Sequence, residues 1–215
     1  YAIVGLDLPP EEAQRDVPEF ERALVLQPDI DFLVAGGPAF YADIETASQR
    51  DLRRAEVIAL PVALGALLIV FGTVISAMVP LVTGAAGVAV VLMAIYVLAH
   101  AADLSIFVLN LATMLGLGLA VDYALFITSR YREELRRNGN DVPAAVQRAV
   151  ETAGRAVFFS GLSVLIGLSG LIMFPMMFLR SVGVAGVVVV AISTFTSLTL
   201  LPALLAILGT LVESL

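Results

Sequence analysis

Beyond residue 56 the chain alternates long apolar runs with short polar breaks. Five runs, near 57–76, 79–99, 105–129, 157–179 and 183–209, each approach the roughly 20 residues that a helix needs to cross a hydrocarbon core about 30 Å thick. The pattern predicts five transmembrane helices. The first two are expected to part at a break around Ser76 to Pro80. Pro61, Pro175 and Pro202 stand inside these runs, as membrane helices allow, because neighbouring helices can satisfy the freed carbonyls. Gly84, Gly87, Gly116, Gly118, Gly161, Gly167, Gly170, Gly183 and Gly186 recur at helical spacings. Small residues let helices approach closely in lipid, so the spans are expected to pack as one bundle.

Residues 1–54 follow a different rhythm. Ala2, Val4, Leu6 and Leu8 alternate with the other face, as do Ile30, Phe32 and Val34, and that period of two predicts half-buried strands. Between them Ala13, Val17, Phe20 and Leu24 step by four, three and four, a single helical stripe opened by Pro9 and Pro10 and kinked at Pro18. Gly36, Gly37 and Pro38 close the second strand, and residues 39–56 have helical composition leading into the first apolar run. The expected order β-α-β-α is a half-unit that needs strand partners from elsewhere. The fold class expected is thus an all-α membrane bundle over 55–215, preceded by a small α/β segment over 1–54.

Composition sharpens the picture. Of 215 residues, 60% are hydrophobic and 14% charged, against about 25% charged in a soluble domain, so a cytosolic globule is excluded. The net charge of −7 arises in the first 56 residues, where twelve carboxylates face five arginines, and this disfavours nucleic acid as a partner. There is no cysteine and a single histidine, His100, which removes disulfides, thiolate metal sites and His clusters. All twelve basic residues are arginine, a feature best ascribed to genomic composition. The chain opens at Tyr1 without an initiator Met or a signal peptide and is expected to be a piece of a longer protein.

The loop over 130–155 carries six arginines against four acids, and positive charge beside span ends stays in the cytoplasm. Counting back three spans places residues 1–54 outside; counting forward two places the C-terminus inside. Arg50, Arg53 and Arg54 pull the other way, but they are fewer. Within the loop, Val142, Ala145, Val146, Ala149 and Val150 fall on one face of a helix started by Asp141 and Pro143, and that face should meet the membrane surface or the bundle's inner end.

Between Glu56 and Arg130 the only carboxylates are Asp103 and Asp122. Asp122 stands deep in the third run, where a charge costs several kcal/mol by transfer scales and where ionisable residues commonly face the bundle interior and mark ion or proton paths. The neighbouring phenol of Tyr123 can donate to it or to a carboxylate on a facing helix. Gly118, one turn earlier on the same face, leaves room for such a partner. The competing reading is an interhelical hydrogen-bond staple, which Asn would serve at less cost. Ser160, Ser163 and Ser169 in the fourth run could help satisfy the carboxyl, although serines in lipid commonly bond their own helix. His100 with Asp103 reads as an interfacial pair, Arg130, Arg132, Glu133 and Glu134 as headgroup anchors, and Met173, Phe174, Met176, Met177 and Phe178 as an apolar interface cluster. Phosphate-cradling, Ser/His/Asp and metal-ligand motifs are absent, so an enzyme is not expected and no cofactor is implied.

The run GLGLAVDYALFITSRYREE from Gly116, then TAGRAVFFSGL from Thr152 and FPMMFLRSVG from Phe174, resembles the MMPL branch (mycobacterial membrane protein large) of the resistance-nodulation-division transporters. SQRDLRRAEVIALP from Ser48 is similar to that family's entry into its second transmembrane helix, so the resemblance covers nearly the whole chain. It implies that the five spans are helices two to six of twelve, and that residues 1–54 end a ferredoxin-like extracytoplasmic porter domain. It further implies a proton relay at Asp122 and Tyr123, supported by Ser160 and facing an equivalent pair on the absent second half. The implied partners are membrane lipids, a lipid or other hydrophobic substrate, protons and that missing half. The function expected is export driven by the proton-motive force across a bacterial cytoplasmic membrane. The alternatives are a lipid sensor or scaffold like the sterol-sensing domains, which has no need of a titrating pair, and a protein-export helper of the same superfamily.

Overall fold

A computed structural model describes residues 4–5, 7, 10–24, 33–102, 104–105 and 107–212. The chain divides into two compact units between Val57 and Ile58. Among the described residues seven α-helices follow one another: α1 Pro10–Leu24, α2 Gly37–Phe71, α3 Val74–Ala99, α4 Val108–Arg137, α5 Val142–Ala149, α6 Arg155–Ser169 and α7 Met177–Leu208. A π-helical turn, Val150–Gly154, joins α5 to α6, and 3-10 turns Gly170–Met173 and Gly209–Val212 follow α6 and α7.

In the first unit, α1 buries Ala13 and Val17 and leaves Phe20 exposed. Pro18 lies inside the helix, and Arg22 Nε donates to its carbonyl at 3.1 Å. Among the described residues there is no strand. The two expected strands lie largely outside those residues; Val4 and Val34, which are described, are not in one.

Among the described residues five helical segments are long and apolar enough to cross a membrane: α2, which runs through the division at Val57, then α3, α4, Val142–Met173 and Met177–Val212. The break between the first two falls at Gly72 and Thr73, not at Ser76 to Pro80. Gly72 takes φ +70°, open to glycine at no steric cost, and Thr73 caps α3 by accepting from Ser76 N at 3.3 Å. Pro80 is carried inside α3, in the second turn. The loop over 130–155 is mostly helical. α4 runs on to Arg137, Gly139 and Asn140 turn the chain with positive φ, and Asp141 Oδ1 caps α5 by accepting from Ala144 N at 3.2 Å.

The core follows from these helices. α3, α4 and α7 pack around Val91, Ile95, Val108, Ala112, Ala185 and Val189 at one end. At the other end Ile127, Tyr131 and Leu135 of α4 meet Ala145 and Ala149 of α5 and Leu201 and Leu205 of α7. The apolar face of α5 therefore closes the end of the bundle. α6 is held to α7 through glycines: a methyl on Gly161 would collide with Thr194, one on Gly183 would come within 2.9 Å of Ile172 N, and one on Gly186 within 2.8 Å of Leu168 Cδ1.

Candidate functional site

α4 presents three faces. Ala120, Leu117 and Val121 face Gly84 of α3, where a Cβ would meet them at 3.7, 3.4 and 3.5 Å, ordinary contact distances. Tyr123, Ala124, Ile127 and Tyr131 turn into the core with Leu201 and Leu205 of α7. The third face, Met114, Gly118, Asp122, Phe126 and Ser129, is exposed, and nothing lies within 4 Å of where a Cβ on Gly118 would be. These positions recur at three or four residues and so form one stripe.

Asp122 thus stands on an open face of a membrane-crossing helix, flanked by apolar side chains and a glycine. Tyr123, its sequence neighbour, is rotated by about 100° into the bundle, where its hydroxyl is buried without a protein partner. The relay residues expected from the sequence therefore split between an open surface and the interior. Ser160 is exposed on α6, whose buried contacts to α7 run through Val157 and Gly161. Ser163 and Ser169 donate to their own helix's carbonyls, of Phe159 at 2.9 Å and Leu165 at 2.7 Å. His100 is exposed, with Nδ1 2.8 Å from Tyr96 O, and Asp103 lies outside the described residues.

Two groups of polar residues were not anticipated in these roles. Beside Tyr123, the hydroxyls of Thr128 on α4 and of Ser193, Thr194 and Ser197 on α7 are also buried without protein partners. The signal in the sequence was the four-residue step from Ser193 to Ser197, in line with Val189 and Leu201. At the end of α4, Glu134 is only 2% exposed and pairs with Arg130 at 2.6 Å, with Arg148 of α5 at 3.8 Å also near it. Arg132 donates to Phe71 O at 2.6 Å and lies over the Phe71 ring at 5.6 Å, while Tyr131 donates to Gly209 O at 3.0 Å. The residues expected to anchor in headgroups instead tie α4 to the ends of α2, α5 and α7. The step of i, i+4 between Arg130 and Glu134 favours their own pairing over solvent.

Comparison with known proteins agrees with this architecture. The sequence is 48% identical over 176 residues to the Streptomyces coelicolor membrane protein SCO6666, covering 82% of this chain and 25% of that protein. It is 38% identical over 185 residues to the trehalose monomycolate exporter MmpL3 of Mycolicibacterium smegmatis, covering 86% of this chain and 18% of the exporter. It is 39% identical over 173 residues to the heme uptake protein MmpL11 of Mycobacterium tuberculosis, covering 80% and 18%. The chain thus spans a quarter or less of the length of these relatives. The MMPL family model matches residues 2–214, and with five apolar helices of membrane-crossing length this multi-pass membrane protein belongs to the MMPL family of the resistance-nodulation-division superfamily.

Proposed function

We propose that this chain is one helical repeat of an exporter of lipids or other hydrophobic molecules in the bacterial cytoplasmic membrane, driven by proton uptake and release at Asp122. The observation that carries the reading is the open stripe of α4. It holds one carboxyl at span depth, with room beside it at Gly118 and no polar partner on the described bundle. A carboxyl group is not left facing hydrocarbon, so the stripe is covered in the working protein, and the second half of a longer chain is the partner of the right kind. Protonation then neutralises Asp122, weakens its contact across the interface and lets one repeat rock against the other. Tyr123 supplies a hydroxyl on the adjoining, inward face of the same helix turn. The porter role of residues 1–54, their extracytoplasmic side and the cytoplasmic side of 130–155 belong to the same reading and rest on the arginine-rich loop. The relatives' names carry two kinds of cargo, trehalose monomycolate and heme, so the cargo is assigned only as a hydrophobic molecule. No step of the proposal makes or breaks a covalent bond in the cargo, and it includes no enzymatic role.

The test is Asp122→Asn in the full-length transporter, following a fluorescent long-chain glycolipid in vesicles with an imposed proton gradient. The amide keeps the shape and most hydrogen bonds and loses only titration. Normal insertion with loss of gradient-driven transport is expected. Export at the unmodified rate would refute the relay and favour the sensor reading.

A further inference from the structure

Four of the five unpartnered buried hydroxyls can be placed relative to one another. α4 and α7 run parallel, because three contacts along them keep the same order: Ser105 N donates to Ser181 Oγ at 3.1 Å, a Cβ on Gly116 would lie 3.6 Å from Val189 Cγ1, and Tyr131 donates to Gly209 O at 3.0 Å. On that register Tyr123 stands level with the turn of α7 that carries Ser197. Long side chains on a helix lean back over the preceding turn, which brings the phenol between the levels of Ser193 and Ser197. Those two serines share the stripe that runs from Val189, opposite Gly116, to Leu201, which is packed in the same cluster as Tyr123 and Ala124. Thr194, one residue on, faces Gly161 of α6.

Serine and threonine in a membrane helix ordinarily donate to the carbonyl one turn back, as Thr83, Thr196 and Thr199 do here at 2.8, 2.7 and 2.7 Å. Ser193 and Ser197 do not, although both are almost wholly buried. A buried hydroxyl left without a partner is costly, and four around one level of an otherwise apolar bundle are not a packing accident. Water is the partner that can serve several hydroxyls of different helices at once.

We propose that Ser193 and Ser197 are positioning residues for Tyr123, holding its phenol from the α7 side through a small hydrated pocket between α4 and α7. The inference rests on the relay reading above and transfers to α7 the supporting role that the sequence suggested for Ser160. Asp122 then exchanges its proton on the open stripe, while the Tyr123 phenol, about 100° round the helix on the inward face, is held from within. The pocket orients Tyr123 and does not itself change charge.

Hydration is tested first, in the full-length transporter in bilayers. Ser193→Cys, Ser197→Cys and, as a dry control on the same stripe, Val189→Cys are exposed to Ag⁺, an ion small enough to follow water. The occupied thiol fraction is then read on the peptide that carries each cysteine, by mass spectrometry after unfolding and alkylation. Reaction at 193 and 197 is expected to be about tenfold faster than at 189 or more; equal rates would mean a dry interface and overturn the proposal. The positioning role is tested by transport. Ser197→Ala should slow transport about tenfold, Ser197→Thr should restore most of it, and Ser197→Ala should add little in a Tyr123→Phe background. An equal loss in both backgrounds would assign Ser197 a purely structural role, and no loss would remove it; either overturns the proposal. If Tyr123→Phe leaves no transport to measure, the silver comparison and the threonine rescue decide. Loss of transport in Asp122→Asn with normal Ser197→Ala would refute this inference alone, whereas transport by Asp122→Asn would refute the relay beneath it.

Discussion

Replacing Gly183 with alanine should loosen the seat of α7 against the turn after α6, while the same change at Gly118 should not. At Gly183 the new methyl would stand 2.9 Å from Ile172 N, 3.0 Å from Ile172 Cγ1 and 3.0 Å from Leu171 Cβ. Ordinary contacts between such atoms begin near 3.5 Å, so something must move by roughly half an ångström. The nearest atom is backbone of a tight 3-10 turn and cannot rotate away. Overpacking of this kind typically costs about 1–3 kcal/mol. At Gly118 a Cβ meets nothing within 4 Å, and only the helix preference for alanine acts, which favours the variant by about 1 kcal/mol. Both variants gain that preference, so their difference isolates the packing term, about 1–3 kcal/mol. The assay is reversible unfolding of the purified chain in mixed detergent, followed by loss of helical circular dichroism as denaturing detergent is added. Equal midpoints for the two variants would show that α7 does not approach the turn as closely as described.

Other perturbations probe separate parts of the account. Glu134→Ala should destabilise the chain by about 2 kcal/mol, less than a fully buried pair loses, because Arg130 keeps Glu133 at 2.6 Å and some solvent; Glu133→Ala, at an exposed site, should cost clearly less. The same unfolding assay orders the two, and the reverse order would remove Glu134 from the centre of the node. A cysteine at Asn138 should resist an impermeant thiol reagent in intact cells if, as proposed, the α4–α5 turn is cytoplasmic; labelling from outside would invert the proposed topology. Taken alone in bilayers, the chain should self-associate through its open stripe, so a cysteine at Gly118 should crosslink more readily than one at Ile207, which is also exposed; equal yields would deny that the stripe is an interface.

The unbroken apolar runs determined by themselves that the chain has five helices long and apolar enough to cross a membrane, because in hydrocarbon each segment must satisfy its own backbone and only helices can. Short-range chemistry was equally legible: Asp141 caps α5, and its apolar face packs at the bundle end as the spacing required. Where two local signals competed, the sequence misplaced the outcome. The polar and proline residues from Ser76 to Pro80 suggested a break, but Gly72 and the Thr73 cap made it one turn earlier, since a proline in a helix's early turns can be carried. The motif around Asp122 identified the residues but not their surroundings. Asp122 and Tyr123 are adjacent in sequence, yet a step of about 100° places one on the open stripe and the other in the core. Packing alone distinguishes Ser160, exposed on α6, from Ser193 and Ser197, buried on α7. It likewise turned Glu134 from an expected headgroup anchor into a buried ion-pair centre. Burial is a property of what comes to lie beside a residue, and for these helices only the tertiary register of α4 against α3, α5 and α7 decides it.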